Sequence, residues 1–116
     1  GHRVQHRTSC RVPTDLTVQV KDQVHVRRFN AALLNLSAGG ALLESDAPFD
    51  FHTSVELTLS LPGEPSHTLL CQVLHIGESG SGRGRLFGVR FVNPDRHSTQ
   101  CIERYVWKRV NELYGT

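Results

Sequence analysis

Two groups of residues in this chain have types and spacings suited to chemistry. Arg3, Arg7 and Arg11 recur at steps of four near the N-terminus, and no lysine precedes Lys21. Guanidinium is permanently charged, forks onto phosphate oxygens, pairs bidentately with the O6/N7 edge of guanine and stacks on base faces; an ammonium does these things less well. The second group lies in "NLSAGG", Asn35 to Gly40, where a run that otherwise reads as a buried strand is interrupted by polar residues and paired glycines. On a strand Asn35 and Ser37 share a face, about 7 Å apart, and offer donors and acceptors to one flat polar object. Glycine packs nothing and loses extra backbone entropy in a strand, so Gly39 and Gly40 imply a need for bare backbone: a turn, and room for a ligand to come close. Groups that hold an anion beside groups that hold a planar ring predict a nucleotide site.

Other sets of residues carry less. His67, Cys71 and His75 stand at steps of four in an apparent strand, which spreads them over about 13 Å, too far for one zinc ion with bonds of about 2 Å. His6 and Cys10 lack a third ligand, because Gly1-His2 reads as the scar of a purification tag. No metal is expected. The glycine-rich "GESGSGRG", Gly77 to Gly84, has no G-K-[ST] and is no nucleophile elbow, and no carboxylate pair stands in a recognisable motif, so no enzyme activity is expected. Arg83 and Arg85 beside it read as solvated surface, and Trp107, off the apolar stripe of the last segment, as an exposed contact for another protein.

The chain is 116 residues long, enough for one domain with a real core and no staples. Residues 1 to 28 hold six Arg/Lys against two Asp, and the remainder seven against nine, so the positive charge gathers at the N-terminus and suggests an anionic partner. No apolar run approaches the roughly 20 residues that span a bilayer, so a soluble chain without membrane contact is expected. Three scattered cysteines, Cys10, Cys71 and Cys101, without a C-x-x-C pair favour a reducing, cytoplasmic setting over a disulfide framework.

Residues 1–14 show no periodicity and read as a flexible arginine arm; residues 15–116 read as the folded body. Alternation from Asp15 predicts a first strand with Leu16, Val18 and Val20 on one face. Further strands are predicted from Val26 to Leu36, from Gly40 to Ser45, through Val55 to Leu61, through "HTLLCQVLHIG" after the turn "PGEP", and through "RLFGVRFV". Asn93 is the expected cap of a closing helix, with Pro94 at its first position and Ile102, Tyr105, Val106, Val110 and Leu113 on its apolar face. The fold class is therefore mainly β: a six-stranded antiparallel barrel with a C-terminal helix.

The residues now in view resemble a known family. "RTSCRVP", Arg7 to Pro13, and "NLSAGG" are similar to the two motifs of PilZ domains, R-x-x-x-R and [D/N]-x-S-x-x-G, and "RVPTDLTVQV", "FGVRFV" and the terminal helix follow in family order. PilZ domains are bacterial receptors for the second messenger cyclic di-GMP. The resemblance implies that Arg7 and Arg11 embrace the guanines and phosphates, that Asn35 and Ser37 hydrogen-bond a guanine, and that Gly40, with Gly39 beside it, keeps the turn open. "RVQHR" from Arg3 to Arg7 also satisfies the first motif, but Arg11 alone stands directly before the first strand, so Arg3 and His6 are assigned auxiliary places. Ligand would order the arm over the barrel and present a new surface to a protein partner. Two alternatives remain: a PilZ-like protein–protein adaptor that uses no ligand, and, third, a barrel for single-stranded nucleic acid, which the 7% aromatic content and the local charge disfavour.

Overall fold

The computed structural model describes residues 10–82 and 84–115. Six strands and one helix follow in order: β1 (Val12–Asp22), β2 (Arg28–Leu36), β3 (Gly40–Ser45), β4 (Ser54–Leu59), β5 (His67–Glu78), β6 (Arg85–Phe91) and α1 (Arg96–Tyr114). Every pairing is antiparallel, and the strands close into a barrel in the order β1-β2-β3-β6-β5-β4.

The alternation seen in the sequence is what closes this barrel. Val18 and Val20 of β1, Ala31 and Leu33 of β2, Leu43 of β3, Val55, Leu57 and Leu59 of β4 and Phe87 and Val89 of β6 all point inward and are buried. Burying one such large side chain contributes about 1.5–3 kcal/mol. Phe49, from the β3–β4 connection, closes one part of this core edge-on to Phe29 and Phe87, with ring centroids 5.5 and 5.1 Å away. Arg85 secures that connection by donating to the carbonyls of Ala47 and Phe49 at 3.2 and 3.4 Å. It is therefore a structural bolt and not solvated surface; Arg83 lies outside the described residues.

Strand limits move where local chemistry outweighs apolar alternation. β1 starts at Val12, three residues before Asp15, because Val12 pairs with Leu36 and Pro13 with Asn35. β2 starts at Arg28 and not at Val26, which takes a positive φ of 55° in the preceding turn. Asp22 makes that turn: its carboxylate accepts from the amides of Val24 (2.8 Å) and His25 (3.3 Å) and lies 3.0 Å from His25 Nδ1. Burial pushes the Asp22 carboxyl up, but these hydrogen bonds outweigh it and hold the group below its ordinary value. β5 runs on through Gly77 and Glu78, which pair with Leu86 and Arg85, into what reads in the sequence as loop.

The helix also departs from expectation at both ends. Asp95, in extended conformation, is the cap, while Asn93 takes a positive φ of 45° as the chain turns off β6. Ser98, Cys101, Ile102 and Val106 are the buried residues of α1, whereas Leu113 and Tyr114 are exposed, so the last turn extends past the barrel wall. Arg109 ties that half of the helix to β1 by donating from Nε and Nη2 to the carbonyl of Pro13 at 3.3 and 3.2 Å.

Candidate functional site

The paired glycines of "NLSAGG" form the β2–β3 turn, and its geometry explains each polar residue. The amide of Ser37 donates to the carbonyl of Gly40 at 2.9 Å. The Ser37 hydroxyl accepts from the amides of Gly39 and Gly40 at 3.3 and 3.2 Å and reaches the Gly40 carbonyl at 3.3 Å. Ser37 is only 2% exposed, so its hydroxyl organises the turn from inside. Ser37→Ala leaves two amides without their side-chain acceptor, and a loss of about 1–2 kcal/mol in unfolding free energy is expected, checked by urea denaturation.

Gly40 is buried and pairs with Arg90 of β6. A Cβ there would overlap the Val89 carbonyl oxygen and lie 3.2 Å from Arg90 Cα. The bare backbone at Gly40 thus makes room for β6, a demand the sequence alone does not reveal. Gly39 stands on the exposed side of the turn, its carbonyl accepting from the Phe91 amide at 3.0 Å.

Asn35 and Ser37 have different surroundings: Ser37 is buried within the turn and Asn35 is half-buried at the end of β2. The β1–β2 and β2–β3 registers shift between Pro13 and Leu16 and between Leu33 and Asn35, and such bulges re-aim side chains. After the shift Leu36 points into the core, and Asn35 is left half-buried beside the start of β1. There its Oδ1 accepts from Nη1 of exposed Arg11 at 3.2 Å. The structure therefore brings the arginine directly before β1 onto the polar notch at the barrel rim. Arg3, His6 and Arg7 lie outside the described residues.

The model of the PilZ domain family matches residues 3–107. The chain belongs to the PilZ family. Solved structures share its fold: MotI/DgrA, an inhibitor of motility from Bacillus subtilis, superposes with TM-score 0.75 at 19% identity over 90% of this chain and 51% of its own. The PilZ domain of YcgR from Escherichia coli, solved with c-di-GMP, gives 0.70 at 18% identity over 89% and 90%. MrkH of K. pneumonia in its apo state gives 0.72 at 12% identity over 89% and 49%. This PilZ domain thus spans about half the length of MotI/DgrA and of MrkH. No curated protein sequence matches the chain.

Two residues near the site of this PilZ domain, Arg90 and Arg109, and one distant from it, His67, have partners that escape sequence reading. Arg90 faces outward opposite Gly40 and donates from Nε to Gln72 Oε1 at 3.1 Å; its outward parity in "RLFGVRF" is visible, its place beside the turn is not. Arg109 braces the carbonyl of Pro13, two residues after Arg11, from 96 residues away in sequence. His67 does not meet Cys71 and His75: Cys71 is wholly inside the core, where burial pushes its thiol up to about 12, and β5 bulges between Val73 and His75. His67 meets His97 and Cys101 of α1 instead, a grouping that only the docking of the helix creates.

Proposed function

We propose that this PilZ domain is a cyclic di-GMP receptor module whose ligand site is the notch formed by Arg11, Asn35 and the β2–β3 turn. The observation that carries the reading is the Arg11–Asn35 hydrogen bond, which joins one member of each motif across the β1–β2 pair. Family membership and the c-di-GMP complex of the YcgR PilZ domain support it.

In this reading Arg11, together with Arg7 and with Arg3 and His6 as auxiliaries, takes the phosphates and guanine edges. Asn35 Oδ1 accepts from guanine N–H groups once Arg11 turns to the ligand. Ser37 and Gly40 act through the shape of the turn, and Gly39 lets the ring approach its outer side. Fixing the backbone of the arm costs roughly 1–2 kcal/mol per residue, so a dianionic ligand shifts the arm toward one closed arrangement. The output is a changed surface for a protein partner. Trp107, 56% exposed on α1, is the anchor offered to it, because aromatic side chains dominate such contacts. No catalytic role is assigned to any residue. Among the described residues no helix is long and apolar enough to cross a membrane, and the three cysteines are free, which supports a reducing, cytoplasmic setting.

Titration calorimetry with cyclic di-GMP tests the reading. Saturable heat with micromolar or tighter affinity, on the order of −8 kcal/mol, is the expected result. No heat from well-folded protein carrying residues 1–116 would remove the receptor function and leave the ligand-free adaptor.

A further inference from the structure

We propose that His67, His97 and Cys101, with Glu64 as fourth ligand, form a tetrahedral zinc site that clamps α1 to the β4–β5 end of the barrel. This site is independent of the nucleotide notch. Glu64 lies in the connection between β4 and β5, His67 opens β5, and His97 and Cys101 stand four apart on α1, so both project from one face of the helix. One ligand atom from each of His67, His97 and Cys101 lies within 4.8 Å of the others, and Glu64 Oε1 is 3.3 Å from Cys101 Sγ. Zinc bonds of about 2.0–2.3 Å set ligand atoms roughly 3.3–3.8 Å apart in a tetrahedron. The exposed His97 ring, edge-on to His67 with centroids 5.3 Å apart, is the group whose rotation the site requires.

A second observation points to an ion. His67 Nε2 is buried and has no hydrogen-bond partner, which is rare for a polar atom out of water. The other ring nitrogen, Nδ1, lies 3.0 Å from Ser98 Oγ. In the tautomer whose Nδ1–H donates to that hydroxyl, the lone pair stands on Nε2. A histidine held through one nitrogen and bare at the other is the arrangement that ligating histidines show.

The charges suit a divalent cation. As the residues stand, Arg104 holds the place of that cation, donating to Glu64 at 2.9 and 3.1 Å and to Cys101 Sγ at 3.1 Å. Its side chain is 55% exposed and can swing to solvent. Zinc bound to one thiolate, one carboxylate and two neutral imidazoles forms a neutral group, and binding releases the Cys101 proton to water. The mixed nitrogen, sulfur and oxygen donors favour zinc over calcium or magnesium, which take oxygen.

Chelator-treated protein titrated with Zn²⁺, and in parallel with Co²⁺ as a spectroscopic probe, tests the site. Expected are one ion per chain, a Kd at or below about 10⁻⁷ M, cobalt bands of a tetrahedral thiolate complex, and a higher thermal midpoint with zinc. His97→Ala, at an exposed position that leaves folding intact, and Cys101→Ser should each weaken binding by at least about 100-fold, and Ser98→Ala by about tenfold. Arg104→Ala should tighten it, because the competing cation is gone. Binding weaker than about 10⁻⁵ M, absence of the cobalt bands, or an unchanged affinity in His97→Ala would each overturn the proposal.

Discussion

Gly40→Ala is expected to destabilise the domain by on the order of 3 kcal/mol, the upper part of the overpacking range. The added methyl has no flexible neighbour to displace. It meets the carbonyl of Val89 and the α-carbon of Arg90, both backbone of β6, so either β3 separates from β6 or the β2–β3 turn distorts. Six consecutive pairs from Gly40↔Arg90 to Ser45↔Arg85 join these strands, and loss at the first of them exposes Phe91 and the turn together. For a domain of this size the thermal midpoint should fall by roughly 10 °C or more. Gly77→Ala on β5, where a Cβ would meet nothing within 4 Å, serves as control and should leave the midpoint nearly unchanged. A Gly40→Ala midpoint as high as that of the control would show that β6 is not what demands the glycine.

Arg11→Ala is expected to weaken cyclic di-GMP binding by about 100-fold, or about 2.7 kcal/mol, the range of a charge-assisted hydrogen bond to a ligand. The loss should be specific. Arg11 is exposed and its hydrogen bond reaches only half-buried Asn35, so the midpoint of ligand-free protein should not move. Arg11→Lys keeps the charge but loses the planar fork, and about a tenfold loss is expected. Calorimetric titrations at two salt concentrations separate the contributions: the lysine variant retains the salt dependence of wild type, and the alanine variant shows a shallower one. Equal affinities for wild type and Arg11→Ala would detach the first motif from the site.

The sequence is most legible where one face of a strand is buried. Val18 and Val20, Val55 to Leu59 and Phe87 to Phe91 announce their strands because alternation is enforced by the core, and six strands plus a helix follow from that. It misleads where a residue's partner is not set by alternation. Asn35 and Ser37, two apart, read as a pair of groups open to one partner, yet the Ser37 hydroxyl is buried and taken up by the amides of Gly39 and Gly40 in its own turn. The demand at Gly40 comes from Val89, 49 positions away, which no local pattern reveals. The same holds for Arg109 at Pro13 and for the gathering of His67, His97 and Cys101, all consequences of where α1 comes to rest.

The way β1 joins the ring limits how another protein can take hold of this domain. β4 pairs with β1 through Gln19 to Asp22, so the earlier half of β1 is the stretch of wall that an incoming strand would need. Pro13 offers no amide there, and its carbonyl is already taken by Arg109. Backbone zippering of a foreign peptide onto this flank is blocked at its first rung. Along this flank recognition falls to side chains, so point substitutions on its outside retune docking there without rebuilding the scaffold.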